Sequence, residues 1–193
     1  MVEPDERELI EKLKRRDEAA FSAFVLRYQE RVFRLLVRML GDAAEAEDLA
    51  QEVFISVFKS IDGFRGDAQL STWVYRVAAN HCRNRIKYLV RRRRQLTEGY
   101  DEQHEESGDA HGKNEAPDQL MEARQTERIL QEGLLTLDAE QRELVVLREV
   151  EHLSYEEIMA ITGLPEGTVK SRLHRARAGL REYVERHERG KKR

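Results

Sequence analysis

Apolar residues along this 193-residue chain recur mostly at intervals of three and four, the period of a helix that buries one face. Phe21, Phe24, Val25, Tyr28, Val32, Leu35, Leu36 and Met39 make one such run, with Asp17 placed to cap its start and Gly41 to end it. Asp42 can cap a second, through Ala46, Leu49, Ala50, Val53, Phe54, Val57, Phe58 and Ile61, which stops near Asp62-Gly63. Ser71 is the expected cap of a third, running through Trp73, Val74, Val77, Ala78, Ile86 and Leu89 into the cluster Arg91-Arg94. Three helices with short joints predict one bundle, a front domain over residues 1–94.

The pattern lapses over residues 95–119, where Gly99, Gly108, Gly112, Pro117 and a run of acids leave too little apolar surface to offset the cost of ordering the chain. A flexible acidic linker is expected there. Periodicity resumes with Leu120, Ile129, Leu130, Leu134, Leu135 and Leu137, and Asp138 can cap a helix holding Leu144, Val145, Leu147 and Val150. The fold class is therefore all-α: two small helical domains, 1–94 and 120–187, joined by the linker and followed by a basic tail at 188–193.

Composition agrees with a soluble helical protein: 40% apolar, 37% charged, 11 Gly and 3 Pro. Met1–Arg16 lacks the apolar stretch of a signal peptide, and no run nears the roughly 18 uninterrupted apolar residues of a membrane span, so a cytoplasmic location is expected. The lone Cys82 rules out an internal disulfide and a multi-thiolate zinc site. The net charge of -3 conceals segregation. Residues 68–97 carry 8 Lys and Arg and no acid, and residues 170–193 carry 10 bases against 3 acids. Between them, 98–122 carry 9 acids against 1 base and 123–169 carry 10 against 4. Two basic islands in an acidic chain predict phosphate contact at two separate places.

The second island belongs to a predicted helix-turn-helix. Ser154 with Glu157 three residues on is a capping box that starts a helix at Tyr155. Gly163 can end it, and Pro165-Glu166 redirects the chain before a second helix. On that helix Val169, Leu173 and Ala176 share one face, leaving Lys170, Ser171, Arg172, His174, Arg175 and Arg177 outward. The amino-terminal residues of such a helix reach base edges in the major groove, where Arg suits guanine, so Thr168, Lys170, Ser171, Arg172 and Arg175 are the candidate duplex-reading residues. An ordinary hairpin with a solvated basic face is the plainer alternative. It does not explain why the first helix is acidic (Glu156, Glu157) and the second basic.

The first island combines Trp73 and Tyr75 with Arg76, Asn80, Arg83, Asn84, Arg85 and Lys87. Stacking surfaces, amides and cations together suit an unstacked single strand better than a groove, although Trp73 equally fits core packing.

Two groups of residues resemble the sigma factors of bacterial RNA polymerase, and among them the compact two-domain group termed extracytoplasmic-function sigma factors. In front these are Asp48-Leu49-Ala50-Gln51-Glu52-Val53-Phe54, Phe64-Arg65-Gly66, and Ser71-Thr72-Trp73-Val74-Tyr75-Arg76-Val77-Ala78-Ala79-Asn80. Behind, they are Leu153 through Ile158 and Gly167 through Arg177. The resemblance covers residues 21–94 and 126–184. It implies a sigma factor, not an enzyme, that acts in stress-responsive transcription without cofactor, metal or small-molecule substrate. Its partners would be core RNA polymerase (the clamp helices of the largest subunit and the flap region), promoter DNA, and an anti-sigma factor, in this family often membrane-attached. It assigns polymerase binding to Asp48, Gln51 and Glu52, which with Ile55 lie on one strip beside the apolar face. It assigns opening of the -10 element to Phe64, Arg76, Asn80, Arg83 and Asn84, with Asn80 and the loop at Phe64–Asp67 holding a flipped base, and the -35 element to the helix-turn-helix. Many members place an acid shortly after the residue corresponding to Asn80; this chain reads His81-Cys82-Arg83-Asn84. The family's linker threads toward the polymerase active site, where negative charge can mimic nascent RNA.

Three other readings compete. His81 and Cys82 as base and nucleophile would point about 100 degrees apart on a helix. His104 and His111 with the linker acids lack the fixed spacing of a metal site. A duplex-binding regulator with a sensing or dimerising front domain would have no use for a basic island at 68–97.

Overall fold

The computed structural model describes residues 4–97 and 118–191, with side chains over 6–95 and 124–187. Eight α-helices follow in order: α1 (Pro4–Lys14), α2 (Glu18–Leu40), α3 (Ala43–Ser60), α4 (Leu70–Thr97), α5 (Asp118–Thr136), α6 (Ala139–Val145), α7 (Tyr155–Thr162) and α8 (Glu166–Lys191). A 3-10 turn, Ile61–Gly63, follows α3, and a π turn, Val146–Val150, extends α6. Among the described residues there is no strand, and no helix is long and apolar enough to cross a membrane.

The expected caps form. Asp17 Oδ1 accepts the Ala20 N–H at 2.7 Å, Asp42 Oδ1 that of Glu45 at 3.0 Å, and Asp138 Oδ1 that of Gln141 at 2.8 Å, each satisfying a donor that the helix itself leaves free. Gly41 takes the left-handed conformation (φ 78°), and its N–H closes α2 on the Val37 carbonyl at 2.8 Å. Ser71 does not cap α4. That helix begins one residue earlier, at Leu70, and the Ser71 hydroxyl instead meets the Gln69 side chain at 3.4 Å. Sequence reading also passed over α1, whose Ile10 and Leu13 are buried in the front core.

In the front half, α2 is the central element: Phe24, Tyr28, Val32, Leu35, Leu36 and Met39 face Leu49, Val53 and Val57 of α3 and Val74 and Ala78 of α4. Each such side chain, fully buried, contributes about 1.5–3 kcal/mol. Phe24 also packs on Tyr28 with ring centroids 4.9 Å apart. The rear core gathers Leu134 of α5, Leu144 of α6, Leu147 of the π turn, Ile158 of α7 and Leu173 of α8.

The halves expected as separate domains pack against each other, and their buried residues form one continuous cluster. Arg142 donates to the Met39 carbonyl at 2.6 Å, the Gln131 amide donates to the Val37 carbonyl at 3.2 Å, and Arg38 pairs with Glu127 at 2.8 Å. Most of the expected linker, along with His104 and His111, lies outside the described residues, as do the side chains of the basic tail.

Candidate nucleic-acid interface

The helix-turn-helix has the geometry its sequence implied. The Ser154 hydroxyl accepts the Glu157 N–H at 3.1 Å, and the Glu157 carboxylate accepts the Ser154 N–H at 2.8 Å. Gly163, at φ 73°, ends α7 with its N–H on the Met159 carbonyl. Pro165 then starts α8: its carbonyl accepts the N–H groups of Thr168 and Val169 at 2.9 and 3.0 Å. Val169, Leu173 and Ala176 are fully buried, which fixes the rotation of α8 and turns the opposite face to solvent.

On that face Lys170, Ser171 and Arg175 are exposed and Thr168 and Arg172 half-buried. Their partners are local. Lys170 pairs with Glu166 at 2.6 Å and sits over the Tyr155 ring at 5.5 Å, and Glu166 holds its ammonium above the ordinary lysine range. Arg172 pairs with Glu140 of α6, and the Ser171 hydroxyl donates to the Thr168 carbonyl at 3.1 Å. Single exposed pairs of this kind contribute at most about 1 kcal/mol, so they order the side chains without locking them away from DNA.

The basic face of α4 is different. Arg76 is directed across to α7, where its Nε donates to the Ala160 carbonyl at 2.7 Å. Arg83 donates to the Asn80 side-chain oxygen and, at 2.7 Å, to the buried carboxylate of Glu143 on α6. Asn80 and Asn84 are exposed. Phe64, named with the -10 residues, is only 5% exposed; it packs on Trp73 with centroids 5.4 Å apart and anchors the loop to the core. Cys82 is wholly buried, and burial pushes its thiol up to about 12, which leaves it no part as a nucleophile beside His81.

On α3, Asp48, Gln51 and Glu52 are exposed along one strip, continued by the exposed apolar Ile55. Glu52 is held by Arg85 of α4 at 2.7 Å, and Arg85 also binds Glu45, which together keep the guanidinium firmly protonated.

Two families of sequence account for these surfaces. The Sigma-70 region 2 family matches residues 24–94, which hold α4's basic face and the α3 strip, and the Sigma-70 region 4 family matches residues 127–180, which hold the helix-turn-helix. The chain belongs to the sigma-70 family. Its relatives place it in the extracytoplasmic-function group. The chain is 35% identical over 184 residues to the RNA polymerase sigma-H factor of Pseudomonas aeruginosa, covering 93% of this chain and 94% of that one. It is 35% identical over 181 residues to the ECF RNA polymerase sigma-E factor of Escherichia coli, covering 92% and 93%. Among solved structures it resembles the sigma factor RpoE of Bartonella quintana, determined in complex with the anti-sigma factor NepR, with a TM-score of 0.64 at 25% identity over 86% of this chain and 96% of that one. The fold is also that of CnrH, solved with the cytosolic domain of CnrY (TM-score 0.67, 20% identity, 93% and 97% covered). This sigma factor therefore serves promoter-specific transcription initiation.

Sequence reading missed several residues at these surfaces. Arg148 of the π turn donates to the Leu153 carbonyl at 2.6 Å and stacks over the Tyr155 ring at 4.9 Å, bringing another cation beside the start of the helix-turn-helix. Its position in a π turn, an insertion common at functional sites, has no signature in the sequence of this sigma factor. Glu143 and Glu151, which face α4, were counted only as part of an acidic block, and Glu157 was read as the capping-box acid of α7 and not as a partner of α4.

Proposed function

We propose that this sigma factor reads the -35 duplex with Thr168, Lys170, Ser171, Arg172 and Arg175 and opens the -10 element with Arg76, Asn80, Arg83 and Asn84. Phe64 supports the loop beside Asn80 from within the core. Asp48, Gln51 and Glu52 dock on the clamp helices of the polymerase's largest subunit, while the rear half meets the flap region. The protein works in the cytosol as an initiation factor rather than an enzyme, and an anti-sigma factor holds it in reserve, as the complex of the Bartonella relative suggests.

The observation that carries this reading is the two-sidedness of α8: a fully buried stripe at Val169, Leu173 and Ala176 turns a basic row to solvent at the point where the helix begins. A helix amino-terminus with short polar and basic side chains can enter a major groove and bind phosphate at once. The test is transcription by purified core polymerase on genomic fragments. Addition of this protein should create defined start sites with a shared pair of upstream elements. Arg172→Ala should weaken discrimination at one -35 position by about 1–3 kcal/mol, and Asn80→Ala should leave that element's selectivity intact while impairing opening. No new start sites, or duplex binding equally strong without polymerase and followed by repression, would replace the sigma reading with that of a duplex-binding regulator.

A further inference from the structure

Arg85 stands among the cations of the first basic island, yet the fold turns it to another side of α4. Asn80 and Asn84, one turn apart, share an exposed face of the helix. Arg85 lies about 100 degrees round the axis from Asn84. It shares its own edge with His81, four residues earlier, and that edge faces α3. There Nη1 of Arg85 binds Glu45 and Nη2 binds Oε1 of Glu52 at 2.7 Å, while Nδ1 of His81 stands 3.8 Å from the other Glu52 oxygen.

The acids on this edge are those of the polymerase strip. Partial burial works against the charge of the Arg85 guanidinium, but the hydrogen bond to Glu45 and the charges of Glu52, Glu45 and Asp48 outweigh it and hold the proton more firmly than usual. The Arg85 side chain is 20% exposed and that of Glu52 51%, so the base is mostly covered while the acid it holds still faces out.

A guanidinium is a rigid planar fork and can fix two carboxylates at once. Glu45 sits in the first turn of α3, and Glu52 follows two turns later on the same side of that helix. Glu45 therefore braces the fork, and the fork fixes Glu52. Left free, a glutamate would have to be ordered when a partner docks, a cost of about two- to tenfold in affinity for one side chain.

We propose that Arg85 is a positioning residue for polymerase docking: its fork, braced on Glu45, presets the Glu52 carboxylate for the clamp helices and takes no part in holding the strand. The inference rests on the assignment of Asp48, Gln51 and Glu52 to docking made above.

The test titrates purified core polymerase into the full-length chain labelled at its amino terminus. Arg85→Lys keeps the positive charge, but a single ammonium cannot reproduce the fork. It should lower polymerase affinity by about two- to tenfold. In a Glu52→Ala background Arg85→Lys should cost nothing further, whereas in an Asp48→Ala background it should cost the same factor as in the wild type. Damage to the packing of α3 on α4 would instead lower affinity in both backgrounds. Binding of a labelled mixed-sequence single strand to holoenzyme assembled at saturating protein should be the same with Arg85→Lys as with the wild type. Unchanged polymerase affinity in Arg85→Lys refutes the proposal, as does an equal loss in the two backgrounds. Weakened strand binding with polymerase affinity kept returns Arg85 to the strand surface. Glu52→Ala binding polymerase as tightly as the wild type overturns the docking assignment of Glu52 itself.

Discussion

Two adjacent residues of α8 should respond to alanine in opposite ways. Leu173 is completely buried between α8 and the rear core, so Leu173→Ala removes apolar contact and leaves a cavity that neighbouring backbone cannot fully close. Substitutions of this type cost about 2–5 kcal/mol, a large part of the roughly 5–15 kcal/mol that holds a domain folded. Arg172, one position earlier, is half-buried and pairs with Glu140, whose side chain is 68% exposed. Losing that pair should change stability by no more than about 1 kcal/mol. Its cost should instead appear in duplex discrimination. Thermal unfolding followed by circular dichroism, with binding to a promoter duplex measured below both transitions, separates the two effects. Leu173→Ala should melt well below the wild type and bind normally once folded at low temperature. Arg172→Ala should melt with the wild type and lose selectivity at one base pair. Equal destabilisation by the two, or normal selectivity in Arg172→Ala, would show that the rotation of α8 deduced from its buried stripe is wrong.

Ser154→Ala removes one arm of the capping box and should cost about 0.5–2 kcal/mol, seen as a lower melting temperature; Ser154→Asp, which can accept the same N–H, should recover most of it. Gly41→Ala forces a side chain into a left-handed turn, about 1–2 kcal/mol of strain, and points its Cβ at the Leu135 methyls, 2.6 Å away. Hydrogen exchange should therefore rise in both α2's last turn and α5, because Leu135 is where the rear half leans on that turn. Cys82 gives a pH signature. Its thiol is held neutral up to about 12 when folded, whereas the unfolded chain ionises near 9, so the unfolded state loses its proton first and stability falls as pH rises between these values. This group alone should contribute a decline of up to about 1.4 kcal/mol per pH unit, abolished in Cys82→Ala and read from urea midpoints.

Capped helices were the legible part of this fold because their signals are local. Asp17, Asp42, Asp138 and Ser154 each act on an N–H three residues away, a relation visible in any sequence. The two-sidedness of α8 was legible for the same reason. Ser71 misled because the cap rule specifies a residue type and a break, and the break before α4 lies two positions earlier, at Gln69. The helix α1 offers few apolar residues in its eleven, and only contact with α2 and the 3-10 turn explains why Ile10 and Leu13 are buried. Phe64 sits in a loop, where no periodicity says which way a ring points, and its position depends on Trp73. The contacts between the halves were out of reach altogether: Arg83 and Glu143 are 60 residues apart and Thr72 and Glu157 are 85 apart, separations at which charge sign survives as a clue but pairing does not.

That clue was itself incomplete. Eight bases without an acid over residues 68–97 announced a phosphate partner, yet within the folded chain one of them, Arg83, faces Glu143, drawn from a block with ten acids and four bases. Both uses are ionic, and this has a consequence for salt. Raising ionic strength weakens DNA contact because releasing the counterions condensed on the DNA gains less free energy, but it also weakens the internal pair of Arg83 with Glu143. The two effects oppose each other. Strand binding by the free chain should therefore decline less steeply with salt than the count of bases on α4 suggests, and in Glu143→Gln, which releases Arg83 without adding a cation, the slope should steepen.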